Sequence, residues 1–176
     1  MGYTESDKIE LLTAICKKMR SEAVVTEKSM QDAKDETTHT ETRQEGKYDT
    51  RAIEAGYLAG AQELRLSVLL NDIKRLDLII EQMTKKPPQN KGRTQVGSII
   101  LVTEIFEDCS FPDETTKTYF LLPCSAGNEV MMRGVKITSV STKSNFGRKL
   151  LGLCVGQEFE LETPKGRKTT MIEQIY

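Results

Sequence analysis

The chain holds 176 residues, with 25 Lys and Arg against 26 Asp and Glu for a formal net charge of −1. That length has room for one ordinary domain with an extension or for two small domains, and the near-neutral charge excludes a bulk electrostatic nucleic-acid binder, although a local basic patch is compatible with it. No apolar run approaches the length of a membrane span, and Asp7-Lys8 and Lys17-Lys18 interrupt the N-terminal apolar residues, so a soluble, cytoplasmic protein with no membrane partner is expected.

The first element is helical. Ile9, Leu12, Cys16, Met19, Ala23, Thr26 and Met30 alternate steps of three and four, the spacing of a coiled-coil seam. Ile15 competes with Cys16 for that seam. A second arm carries Leu66, Leu69, Ile73, Leu76, Ile80 and Met83 at the same spacing, and its positions mirror those of the first arm about Gly46. No proline precedes Pro87 to break either arm. The symmetry predicts an antiparallel coiled-coil hairpin over 1–86, with its tip near 40–51. Arms of roughly 35 to 40 residues at about 1.5 Å per residue give a rod of about 50 to 60 Å, too long to bury both of its faces. Towards the tip Ala33, Thr37 and Thr40 face Ala59, Ala55 and Ala52, so the distal end is expected to be thin. Gly46 supplies a helix-ending turn, and Asp49 is an N-cap candidate for the second arm.

A proline and lysine stretch, residues 87–93, ends the helix and reads as a linker. Beyond it the period becomes extended. Val96 to Phe106, Thr118 to Leu122 and Val135 to Val140 are rich in β-branched and aromatic residues. Phe159, Leu161 and Thr163 alternate with glutamates before a turn at Pro164-Lys165-Gly166-Arg167 into Thr169 to Tyr176, a terminal β-hairpin. A short helix is predicted over Phe146 to Leu151, with Ser144 as its cap. Residues 94–176 thus read as a small antiparallel sheet with one helix, and the whole chain as α+β. The four cysteines, Cys16, Cys109, Cys124 and Cys154, stand far apart, which fits reduced thiols better than disulfides or a zinc site.

The run from Ser144 to Gln157 resembles the C-terminal domain of the Gre-type transcription elongation factors, the GreA/GreB family of bacteria. Ser144, Gly147, Leu150, Gly152 and Gly156 match that family's pattern, while Asn145 stands where proline is usual and Gln157 where aspartate is usual. A coiled-coil hairpin ahead of this domain is also the Gre arrangement. The resemblance implies an FKBP-like fold for 94–176 and RNA polymerase as the partner. The C-terminal domain would dock on the rim of the polymerase secondary channel while the coiled coil reaches down towards the nascent RNA. It further implies a monomer with no cofactor of its own and no enzymatic turnover, sharing an Mg²⁺ in the polymerase active site. Carboxylates suit such a hard cation, and the tip offers Glu45, Asp49 and Glu54. Asp49 and Glu54 are out of register with the family's acids, so transcript-cleavage stimulation and occlusion of the channel both stay open. Lys47, Tyr48 and Arg51 at the tip, and Ser144, Asn145 and Phe146 in the domain, are the candidate partner-binding residues. Two other readings are a peptidyl-prolyl isomerase on the same fold and a coiled-coil interaction module.

Overall fold

A computed structural model of the chain describes residues 2–41, 50–85, 92–106, 113–164 and 166–176. Helices α1 (Glu5–Glu41) and α2 (Thr50–Lys85) come first. Strands β1 (Ile99–Phe106), β2 (Asp113–Leu122), β3 (Glu129–Met132) and β4 (Val135–Ser141) follow, then helix α3 (Asn145–Leu150) and strands β5 (Glu158–Thr163) and β6 (Gly166–Ile175). The chain is α+β, as its sequence predicts. No helix among the described residues is long and apolar enough to cross a membrane.

Two compact units divide the chain: Met1–Ile15 with Leu78–Tyr176, and Cys16–Asp77. The roots of both long helices therefore belong to the unit that holds the sheet.

In the unit Cys16–Asp77 the expected seam is the buried one. Cys16, Met19, Ala23, Thr26 and Ala33 of α1 are buried, as are Ala55, Ala59, Ile73 and Leu76 of α2. Thr26 is tolerated there because its Oγ1 donates to the Glu22 carbonyl at 2.9 Å. Two cross-links fix the direction of the pair. Arg20 reaches Asp77 at 2.7 Å and Glu22 reaches Arg65 at 2.5 Å, so the second arm runs down as the first runs up. The outer face of α2 holds two glycines, Gly56 and Gly60, where an added methyl group would meet nothing. Each costs the helix about 1 kcal/mol relative to alanine.

The sheet unit is built differently. Its six strands run in the order β3-β4-β2-β1-β6-β5. The sheet is mixed and not wholly antiparallel as expected, because β2 and β4 pair in parallel, Thr118 opposite Ile137 through Leu122 opposite Ser141. The strand between them in sequence, β3, is absent from the sequence reading. It forms a hairpin with β4 in which Met132 pairs with Val135 and Arg133 and Gly134 take φ of 51° and 77°, the double left-handed turn of a two-residue loop. β2 also begins five residues earlier than expected, and α3 one residue earlier.

Ile100, Val102, Tyr119, Leu121, Val140, Leu150 and Ile172 form one core cluster, with Phe146, Leu153, Phe159 and Ile175 packed against it. Strand alternation sends Ile99, Phe120, Leu122 and Ile137 to the other face, and these too are buried. A sheet with both faces covered reads as a continuous apolar run, which is the pattern of Ile99 to Val102.

Candidate functional site

Helix α3 and the turns after it hold the residues that carry the sequence resemblance, and each has a local physical reason. Ser144 caps α3. Its Oγ accepts the Gly147 N–H at 3.0 Å and donates to the Ser141 carbonyl at 2.7 Å. Gly147 packs so tightly on β4 that a Cβ would lie 2.1 Å from the Ser141 oxygen. No side chain fits there. Leu150 is fully buried in the core cluster. Gly152 and Gly156 take φ of 86° and 81° in the two turns that lead to β5.

The two departures are accommodated. Asn145 opens α3 and is exposed, a position that suits proline or a polar residue alike. Gln157 uses its side-chain oxygen to accept the Cys154 N–H at 2.7 Å, which is work an aspartate could also do.

Of the candidate docking residues, Asn145 lines an open cleft of about 390 Å³ with Lys149, Glu160, Glu162 and Arg167. Phe146 is partly buried and pinned on three sides. Its ring stands edge-on to Tyr119 at 4.9 Å, tilted to Phe159 at 5.6 Å, and 4.6 Å below the Lys168 ammonium.

Beneath this aromatic group lies a polar constellation absent from the sequence reading. Glu104 of β1 is fully buried, and it accepts from Lys117 at 2.8 Å, Lys168 at 2.7 Å and the Tyr119 hydroxyl at 2.8 Å. Burial pushes its carboxyl up, but the three hydrogen bonds and the nearby Lys168 charge outweigh that and hold it below the usual glutamate range. Tyr119 is held well above the usual phenol range by burial first and by the Glu104 carboxylate second. The network closes one end of the core and satisfies every charge in it.

A second unforeseen cluster anchors the start of α1. Asp7 accepts the Thr4 N–H at 2.6 Å and its hydroxyl at 2.7 Å, while Thr4 accepts the Asp7 N–H at 3.3 Å. This is a reciprocal cap, and Thr4-Glu5-Ser6-Asp7 is its sequence signal. Arg133 of the β3–β4 turn joins it, 2.5 Å from Asp7. The Thr4 hydrogen bonds, followed by Arg133, keep the Asp7 carboxyl below its ordinary range. Tyr3 packs edge-on to Tyr176 at 5.1 Å.

At the distal end of the hairpin, Glu45, Lys47, Tyr48 and Asp49 lie outside the described residues, as does Gly46. Arg51 lies on the first turn of α2, and Glu54 stands exposed one turn on. No metal-binding group of three or more His, Cys, Asp or Glu occurs among the described residues. Cys16 and Cys124 are buried thiols and Cys154 is a half-buried one.

No family model and no curated protein matches the chain. Several solved structures are similar to it at low identity, among them the three that follow. GreA factor homolog 1 (Gfh1) of Thermus thermophilus is 17% identical over 92% of this chain and 94% of its own, with a TM-score of 0.33. Gfh1 of Thermus aquaticus is 19% identical over 91% and 92%, with a TM-score of 0.33. The transcription elongation factor GreA/GreB of Nitrosomonas europaea is 19% identical over 63% and 88%, with a TM-score of 0.28.

Proposed function

We propose that the chain is a transcription regulator that binds RNA polymerase, seats its sheet unit on the polymerase surface and passes its hairpin into the secondary channel. There it modulates elongation by occupying the channel. The observation that carries this reading is a two-helix hairpin whose buried seam dwindles to Ala33, Ala55 and Ala59 towards its tip. It leads into a sheet unit where each Gre-like residue from Ser144 to Gly156 has its own structural role. Small seam residues bring two backbones close, which is what passage through a narrow opening requires. Occupation is favoured over cleavage because Asp49 and Glu54 are out of register with the acids of the Gre pattern. In this reading Lys47, Tyr48 and Arg51 touch the channel, and Asn145 with the exposed rim of α3 touches the polymerase surface.

The test uses the full chain on stalled and on moving elongation complexes. The wild type slows nucleotide addition without stimulating RNA cleavage, and Lys47→Ala and Tyr48→Ala weaken the slowing. Robust cleavage that disappears in Asp49→Asn with Glu54→Gln overturns occupation and assigns the tip a share in holding Mg²⁺, since amides are poorer ligands for that cation. Failure of the full chain to bind core polymerase overturns the whole reading.

A further inference from the structure

The outer face of α2 carries a second apolar row. Ile53, Tyr57, Leu64 and Val68 are 60%, 77%, 69% and 54% exposed. At about 100° per residue they fall within about 60° of one another, on the side of the helix away from Ala55, Ala59, Leu66 and Ile73. Gly60 lies in the same row between Tyr57 and Leu64, with open space around it. Single exposed apolar residues are ordinary, but a contiguous row marks a surface that something covers.

The order of side chains in the row matches its own reverse. Read from the N-terminal end it runs Ile53, Tyr57, Gly60, Leu64, at coiled-coil steps of four, three and four. Laid antiparallel on a second copy about a two-fold axis midway between Leu58 and Ala59, each Ile53 meets the other copy's Leu64. Each Tyr57 then meets the other copy's Gly60, a large knob over the position that has no side chain. Charge agrees with this direction. Glu54 and Arg65 lie on the same flank of the row, about 20° apart around the helix. The antiparallel register brings each Glu54 beside Arg65 of the other copy, whereas a parallel one puts those two residues on opposite sides of the contact. Arg65 is 59% exposed at its side chain even while it holds Glu22 of its own chain, so its remaining donors are available.

We propose that this face is a homodimer contact, in which α2 packs antiparallel on α2 of a second copy with Tyr57 seated over Gly60. Three large side chains from each copy, Ile53, Tyr57 and Leu64, put the contact at the low end of specific interfaces, below about 1,200 Å² in total. The dimer is therefore weak and dissociates on dilution.

Sedimentation velocity of the full chain from micromolar to near-millimolar concentration tests this. A reversible monomer–dimer equilibrium is expected, abolished by Leu64→Glu and weakened at least tenfold by Tyr57→Ala. Gly60→Ala separates docking from folding: the methyl group meets nothing in the monomer and raises the melting temperature, yet it fills the hole for Tyr57 and weakens the dimer at least tenfold. The register has its own check. Glu54→Arg and Arg65→Glu each weaken self-association, and the two variants mixed restore it, because each supplies the charge that the other needs. A chain that stays monomeric throughout overturns the proposal, as does a dimer that Gly60→Ala and Leu64→Glu leave unchanged, or variants that fail to complement.

Discussion

In the sheet unit Ile100, Val102, Leu121, Leu150 and Ile172 are at most 1% exposed, whereas in the hairpin unit Ile53, Tyr57, Leu64 and Val68 are all more than half exposed. The two regions use apolar side chains for different ends. The sheet is covered on both faces and even encloses a carboxylate, Glu104, with its full set of donors. The hairpin has one seam, closed in part by alanines, and the rest of its apolar surface faces water. Burial of apolar area is the main source of folding free energy, so the sheet unit should carry most of the stability and the hairpin most of the surface open to partners.

The hairpin should accordingly be the easier region to break. Ile73 of α2 is 6% exposed, in a seam to which α1 contributes Met19 and the smaller Cys16, Ala23 and Thr26. Ile73→Asp places an unpaired charge there, at a cost of about 4 kcal/mol. The expected outcome is loss of much of the helical circular dichroism signal while the near-ultraviolet signal of the sheet unit, with its Tyr119 and Phe146 cluster, persists. Undiminished helix in this variant would show that the seam is not what holds the arms together.

The sheet unit should yield only where packing is tightest. Gly147→Ala sets a methyl group 2.1 Å from a backbone oxygen, and α3 must lift away from β4 to admit it. A loss of about 3 kcal/mol is expected in urea unfolding, with the hairpin's helical signal unaffected at low denaturant. A loss no larger than that of Lys149→Ala, on the exposed side of the same helix, would mean that α3 floats on the sheet.

How much of this was legible in the sequence depends on how local each determinant is. The seam was readable because a helix repeats its face every three or four residues. The competition between Ile15 and Cys16 proves to be two stripes, since both are buried. Lys8, Leu11 and Ile15 form a second buried face, confined to the root of α1 that belongs to the sheet unit. One helix served two neighbours, and periodicity alone cannot separate them. The strand β3 was hidden because Arg133-Gly134 is not a usual signal for a two-residue hairpin turn, and the parallel pairing of β2 with β4 follows from that missing strand. Glu104 looked like the polar side of a strand because its partners Lys117 and Lys168 lie 13 and 64 residues away. The stretch from Ser144 to Gly156 was readable for the opposite reason: a cap, a close approach, a core leucine and two left-handed turns within one short segment. Those residues specify fold, and their chemistry does not extend to a reaction. The tip acids and Lys47 and Tyr48 fall almost wholly outside the described residues.

The buried carboxylate sharpens the comparison through pH. The Glu104 carboxyl is held below its ordinary range in the folded chain. Its contribution is therefore fully present above the unfolded value and is lost as pH falls through the folded one. Glu104→Gln removes that dependence and leaves Lys168, whose side chain is 12% exposed, without a counter-charge. The variant should lose about 3 kcal/mol at neutral pH and show a flatter decline in stability on acidification than the wild type. Parallel acid limbs in the two proteins would assign the acid sensitivity elsewhere, with Asp7 the next group to test, since its carboxyl is lowered too.

A smaller effect is expected at the start of α1, where Thr4 and Asp7 cap each other. Thr4→Ala removes the side-chain half of the cap and should cost about 1 kcal/mol, measured as a shift in the urea midpoint with an unchanged slope. Hydrogen exchange should rise at the first amides of α1 and not at those of the seam from Cys16 onward, because helix ends open locally without unfolding the rest. Faster exchange along the whole of α1 would mean that its root and its outer part open as one.

The smallest effect belongs to the two ion pairs that cross the hairpin. Arg20–Asp77 and Arg65–Glu22 have side chains between 39% and 59% exposed, where solvent screens the attraction and ordering two long side chains offsets most of what remains. A double-mutant cycle on Arg20→Ala and Asp77→Ala should give a coupling of about 0.5 kcal/mol or less, shrinking further in high salt. Their value lies in direction, because Arg20 pairs with the later Asp77 and Glu22 with the earlier Arg65, an order that antiparallel helices give. Reversing Arg20 to Asp while keeping Asp77 sets like charges opposite one another, and this should destabilise the hairpin by a similar amount without changing its register. A coupling several times larger would mean that polar cross-links, and not the apolar seam, hold the two helices together, and the contrast between a core-stabilised sheet and a seam-stabilised hairpin would no longer stand.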